Sequence, residues 1–283
     1  KQKAIIEQNE KLKTETCQTS LVVLSLARDS ETKMHLSLKL MRQLKEKMFP
    51  RMKLIVLENG SIDDTRGVLE REPGDWITVI SPMKETTEKM KALTSSMLGI
   101  GMSRIQRMAL LRNDIRKQAM ELQSDIIMVI DLDLDLTTPL ESIQRAVRIC
   151  ETREGIAAVT AVGLCCWMGF PVGGWFRDSF AWEQNEETQH LTKVQKDLIM
   201  NSLSYRRRRD IETVKSNFGG MAVYPSPMFF SPDVEYATEP DISRMEKWNL
   251  PDVARCEHTV FHERLPGEIV IDHKLRTLSF FNL

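Results

Sequence analysis

Three aspartates at alternate positions, Asp131, Asp133 and Asp135, stand directly after an apolar run, Ile126-Ile127-Met128-Val129-Ile130. In an extended segment residues two apart share a face, so this spacing can aim three carboxylates at one point. Carboxylates held that close repel one another, and a hard divalent cation bridging them to a phosphate relieves the repulsion. A cation at Asp133 would make a bound diphosphate a better leaving group, which is Lewis-acid assistance. Two further sites can join this one. Arg28 and Asp29 follow the apolar run Leu21 to Leu26, and Glu58 follows Lys53 to Leu57, where an acidic residue is placed to hydrogen-bond a ribose or base.

The elements that must position these groups are legible from hydrophobic pattern. The run before Asp131 is rich in β-branched residues and reads as a strand buried on both faces, of the kind that presents ligands at its carboxyl end. Leu21–Leu26, Lys53–Leu57 and Trp76–Ile80 read as three earlier strands, the first two each followed by a turn and a helical pattern. That alternation predicts an α/β fold with a mostly parallel sheet and right-handed crossovers. A helix is predicted over Ser103 to Leu122, with Ile105, Met108, Ile115, Ala119 and Leu122 at spacings of three and four. Arg112 falls on that stripe, and a core-facing arginine must meet a carboxylate or a phosphate, or else snorkel past the helix end. With no GxxxxGK[ST] and no GxGxxG after the first strand, the phosphates are not held by a P-loop or a dinucleotide fingerprint.

The second half supplies further candidates. Glu257, between Cys256 and His258, could deprotonate an acceptor hydroxyl or pair with Arg112 or Arg255. His258 and His262 are one helical turn apart and could reach one ion. Trp175 and Trp182 could stack on a sugar face or plug a core, and Arg177 with Asp178 could form a surface ion pair. The run Arg206 to Arg209 reads as a solvated loop.

The 283 residues carry 39 Lys plus Arg and 40 Asp plus Glu, a formal net charge of -1, so there is no electrostatic footprint for nucleic acid. Residues 1–19 read as a helical lead-in, and 20–283 as one domain with a nucleotide-binding half, 20–138, and an acceptor-binding half, 139–283. Five cysteines without a CxxC pair argue against a disulfide framework or a zinc knuckle and favour a reducing compartment. An Asn59-Gly60-Ser61 sequon at a predicted pocket loop also favours the cytoplasm over the Golgi lumen. No apolar run approaches the roughly 20 residues that span a bilayer. The chain starts at Lys1 and is expected to be a piece of a longer protein, with any membrane contact made through a part outside it.

The order strand, ENGSIDDT, RIQRMALLRNDIR, MVIDLDLD resembles the glycosyltransferase type A fold, whose members bind a nucleotide-sugar through Mn²⁺ or Mg²⁺ at a D-x-D motif. Arg107 to Asn113 (RMALLRN), Trp175 to Asp178, Phe218 to Tyr224 and Cys256-Glu257-His258 resemble the fungal capsule-associated mannosyltransferases and related viral and protist enzymes, over about residues 20–275. The resemblance implies that Asp131 holds the ribose or the metal, that Asp133 ligates the metal, and that Arg112 and Asn113 support the nucleotide. It places a late histidine on the metal, with His262 the choice over His258. It gives sugar and acceptor recognition to Trp175, Arg177, Asp178, Gly219 and Gly220. Where the capsule enzymes often read Asn-Asp-Val this chain has Asp-Leu-Asp, which leaves the donor open between UDP- and GDP-sugars. The implied reaction moves a sugar to a hydroxyl of a glycan acceptor, with Glu257 or Asp178 as base or as holder of the donor sugar. A nucleotidyltransferase that makes nucleotide-sugars and a non-catalytic glycan-binding module are the rival readings.

Overall fold

A computed structural model describes residues 17–93, 101–134, 138–167, 170–176, 181–189, 191, 195–196, 198–199, 210–242, 245–246 and 253–281. Strands and helices alternate through the first half: β1 (Leu21–Ala27), α1 (Met34–Lys47), β2 (Lys53–Glu58), α2 (Thr65–Glu70), β3 (Ile77–Ile80), α3 (Lys84–Lys91), α4 (Met102–Ala119) and β4 (Ile126–Ile130). The second half adds α5 (Leu140–Thr152), β5 (Ile156–Trp167), β6 (Phe170–Phe176), α6 (Glu186–Gln189), β7 (Ile211–Val214), β8 (Met221–Pro225), α7 (Ser226–Phe229), α8 (Glu257–Glu263) and β9 (Glu268–Phe281). Among the described residues no helix is long and apolar enough to cross a membrane.

The strands form one mixed sheet in the order β3-β2-β1-β4-β8-β5-β9-β7, with β6 paired to β5. The parallel part is β3-β2-β1-β4. Strand β8 then joins β4 antiparallel, Ile130 opposite Met221, and β5 pairs with β9 in parallel. Both faces of the central strands are covered, which is why their sequences are continuously apolar. Leu21 and Val23 of β1, with Met128 and Ile130 of β4, face α1 and α5; Val22 and Leu24, with Ile127 and Val129, face α4 and the C-terminal aromatic residues. Trp182 belongs to this second core, so it is a packing residue. Of the cysteines, Cys17, Cys150 and Cys256 are free thiols.

Chain direction creates a crevice. From β1 the chain moves to β2 and β3 on one side, whereas β4 lies on the other side of β1, so crossovers diverge between β1 and β4. Open sheets bind ligands at the carboxyl ends of strands at such a point.

Helix α8 closes the C-terminal side, and its residues Glu257 to His262 are all buried. There His262, expected on the metal, has both ring nitrogens engaged inside the protein: its Nε2 lies 2.9 Å from the Tyr224 hydroxyl and its Nδ1 3.0 Å from Ser216 Oγ. A neutral imidazole has one donor and one acceptor, and both are used inside the protein. Burial pushes its pKa down to about 3. Burial and then the nearby Arg112 guanidinium also hold His258 well below the usual histidine range.

Both imidazoles stay neutral in the fold while an unfolded chain takes up a proton near pH 6.5. Folded-state pKa values below the unfolded one mean stability that is complete above about pH 6.5 and is lost as pH falls from there toward about 3. Urea unfolding is expected to show lower stability at pH 5.5 than at 7.5, by about 1.4 kcal/mol for each neutral histidine. Equal stability at the two pH values would show that the folded protein binds those protons.

Candidate active site

A cavity of about 540 Å³ opens at the β1–β4 crevice, a volume ordinary for a small-molecule site. Its floor is the end of β4. Leu132 and Leu134 turn into the core, 1% and 0% exposed, while Asp131 and Asp133 between them line the cavity. The alternation that suggested converging carboxylates therefore also anchors them, because two buried leucines fix which way the aspartates point. Asp135 lies outside the described residues.

Arg112 lies beneath this floor and is 6% exposed. Its Nε donates to Glu257 Oε1 at 3.0 Å and its Nη2 lies 3.8 Å from Asp131 Oδ1. The rings of Phe218 and Tyr236 flank the guanidinium, with centroids 5.3 and 5.8 Å from its central carbon. Burial opposes its charge, yet Glu257, Tyr236 and Asp131 more than offset this and raise its pKa. The partner that the helix pattern required for Arg112 is thus supplied by carboxylates of the protein itself. Glu257 is held at both oxygens, since the Cys256 thiol lies 3.6 Å from Oε2.

A tight turn completes the wall between Asp131 and β8. The Asp131 N–H donates to the Gly220 carbonyl at 3.0 Å, and the Thr277 hydroxyl donates to the carbonyl of Gly219. Gly219 and Gly220 have φ of 60° and 82°, a left-handed backbone that favours glycine. A Cβ on Gly219 would stand 2.1 Å from the Ala161 carbonyl oxygen. Gly219 is therefore a packing requirement and Gly220 alone of the two lines the cavity.

Other expected residues divide in the same way. Arg28, Asp131, Asp133, Arg112, Glu257 and His258 all line the cavity. Glu58 does not: its Oε1 accepts the Ser61 N–H at 2.6 Å and its Oε2 pairs with Arg66 at 3.4 Å, so it braces the loop and leaves the neighbouring Asn59 on the cavity wall. Asn113 does not line the cavity but clamps the backbone of Tyr236, donating to its carbonyl at 2.7 Å and accepting its N–H at 2.9 Å. Trp175 stands in β6, and Arg177, Asp178 and Arg206 to Arg209 lie outside the described residues.

Arg104 and Arg107 also line the cavity from the first turns of α4, Arg107 steadied by a 2.8 Å bond to the Leu93 carbonyl. The sequence pattern overlooked them, although Arg104, Met108, Leu111 and Arg112 share one helical face. A divalent cation fits this donor set in a limited way. Among the described residues no group of three His, Cys, Asp or Glu side chains is gathered to hold a metal, so the protein offers the pair Asp131 and Asp133. Mg²⁺ commonly uses one or two carboxylates and takes its remaining oxygens from phosphate and water.

No protein-family profile and no curated protein matches the chain. Solved structures do. Residues 1–349 of S. aureus TarS in complex with UDP share 12% identity at a TM-score of 0.51, over 93% of this chain and 61% of that one. The same protein in complex with UDP-GlcNAc gives 13% identity and a TM-score of 0.51, over 93% and 59%. The chain thus spans about 60% of the length of these structures. At such identities the likeness is one of fold, and the α/β architecture built here is that of glycosyltransferase type A.

Proposed function

We propose that this chain is a metal-dependent glycosyltransferase that moves a sugar from a nucleoside-diphosphate sugar to a hydroxyl of a glycan acceptor. The observation that carries this reading is the pair Asp131 and Asp133, both lining one cavity at the point where crossovers diverge. The relation of the fold to TarS, solved with UDP and with UDP-GlcNAc, supports a nucleotide-sugar donor.

In this reading the nucleoside lies toward the ends of β1 and β2, near Arg28 and Asn59, and its diphosphate lies over Asp131 and Asp133. These two carboxylates would hold Mn²⁺ or Mg²⁺, which when bound neutralises charge on the departing diphosphate. Arg104 and Arg107 line the same cavity and bring positive charge to the phosphates. Arg112 acts at one remove, holding the Asp131 carboxylate in place. Glu257, with one oxygen against Arg112 and the other against the Cys256 thiol, is suited to orienting that arginine. Either Glu257 or Asp178 would deprotonate the acceptor or hold the donor sugar, and the resemblance gives Trp175 and Arg177 to sugar and acceptor recognition.

The protein incubated with UDP- and GDP-sugars and Mn²⁺ should release nucleoside diphosphate. Asp133→Ala should lower that release by about 10²-fold or more while leaving the thermal midpoint close to wild type, because Asp133 is a partly exposed cavity residue. Full activity of the variant would sink the metal assignment. Arg112→Met should instead lower stability by about 3–5 kcal/mol, measured by urea unfolding, by leaving Glu257 buried and unpaired. Unchanged stability would show that the pair is dispensable to the fold.

A further inference from the structure

Among the described residues, one polar side chain on the cavity wall is buried without a hydrogen-bond partner. His258 is 2% exposed, lines the cavity, and neither of its ring nitrogens finds a hydrogen-bond partner among the described residues. What fixes the ring is aromatic packing: it stacks on Phe218, centroids 3.8 Å apart, and meets Tyr236 edge-on at 5.5 Å. The nearest carboxylate oxygen, Glu257 Oε1, is 4.0 Å from Nε2 and already accepts from Arg112. His262, one turn further along α8, has both nitrogens engaged. A phenylalanine could keep the stack on Phe218 without burying two unsatisfied nitrogens, so the histidine costs stability for no internal gain.

The chemistry of the missing partner follows from the ring's state. Burial and Arg112 keep it neutral, and a neutral imidazole presents one donor and one acceptor. A hydroxyl can satisfy either nitrogen in either tautomer, whereas a phosphate oxygen only accepts. Sheet order supplies the location. The strand ends run β2, β1, β4, β8, so the Asp131–Asp133 pair separates the nucleoside side from the β8 side, where Gly220, Phe218 and the stacked His258 stand.

We propose that His258 is a ligand-contacting residue of this site, its imidazole hydrogen-bonding a hydroxyl of the sugar carried by the donor, on the β8 side of Asp131 and Asp133. This rests on the glycosyltransferase reading and adds the residue that distinguishes a nucleotide-sugar from the bare nucleotide.

His258→Phe separates the two contributions. Calorimetry in Mn²⁺ would compare UDP with UDP-GlcNAc and GDP with GDP-mannose on wild type and variant. The expected result is a thermal midpoint equal to or above wild type, nucleoside diphosphate bound as before, and the nucleotide-sugar weakened by about tenfold, the worth of one hydrogen bond. His258→Gln or His258→Asn, which place an amide near Nε2 or Nδ1, should restore part of the loss. If His258→Phe does not fold, the contrast between the Gln and Asn variants and wild type decides. Unchanged nucleotide-sugar affinity would overturn the assignment. So would a loss shared equally by the bare nucleotide and reversed by excess Mn²⁺, which would mark His258 as a metal ligand. Absence of any Mn²⁺-dependent nucleotide binding by wild type would instead overturn the glycosyltransferase reading, and this inference with it.

Discussion

The guanidinium of Arg112, packed between the carboxylates of Glu257 and Asp131 and the rings of Phe218 and Tyr236, joins parts of the chain that are far apart in sequence. It comes from the middle of α4, Asp131 from the end of β4, and Glu257 from the first turn of α8. Taking such a charge out of water costs several kcal/mol per ion, and only close, well-directed partners offset it. The three elements can therefore meet in few ways. Displacing α8 from α4 would part Arg112 from Glu257 and strand both charges in the interior, whereas the partly exposed Asp131 is held less tightly.

Around that floor, holding and chemistry are assigned to neighbouring residues on the same element. At the end of β4, Leu132 and Leu134 pack while Asp131 and Asp133 face the cavity. In the glycine turn, Gly219 is pressed against the Ala161 backbone while Gly220 forms the wall and receives the Asp131 N–H. On α4, Arg104, Arg107 and Arg112 all line the cavity, Arg112 the one tied into the interior ion group; Arg116, one turn after Arg112, donates to the carbonyls of Phe229 and Ser231 and ties the helix to the segment after β8. A formal net charge of only -1 over the whole chain conceals this local separation of charge.

What the sequence disclosed was what depends on local order. The apolar runs marked β1, β2 and β4, the period of three and four marked α4, and the burial of Arg112 on that helix required a charged partner. Glu257 stood among the partners the sequence offered, but at 145 positions' separation nothing local chose between that pairing and a base's role. Glu58, Asn113 and His262 share one feature that the sequence did not show: each carries a polar group suited to ligands, and each is engaged by another group of the protein, the nearby Ser61 N–H, the distant Tyr236 backbone, and Ser216 with Tyr224. The mixed character of the sheet's second half was equally hidden, because β8 and β9 are placed by pairing with distant strands, and alternation of elements says nothing of their direction.

The contrast between floor and rim has a consequence for how such a site can change over generations. Arg28 and Asn59 stand on loops after β1 and β2, and Arg104 on the opening turn of α4, none of them within the ion group around Arg112. Exchange of these rim residues would alter the shape and charge of the cavity mouth while leaving the interior ion group around Arg112 in place. The buried arginine thus separates what holds the fold together from what the cavity presents at its rim.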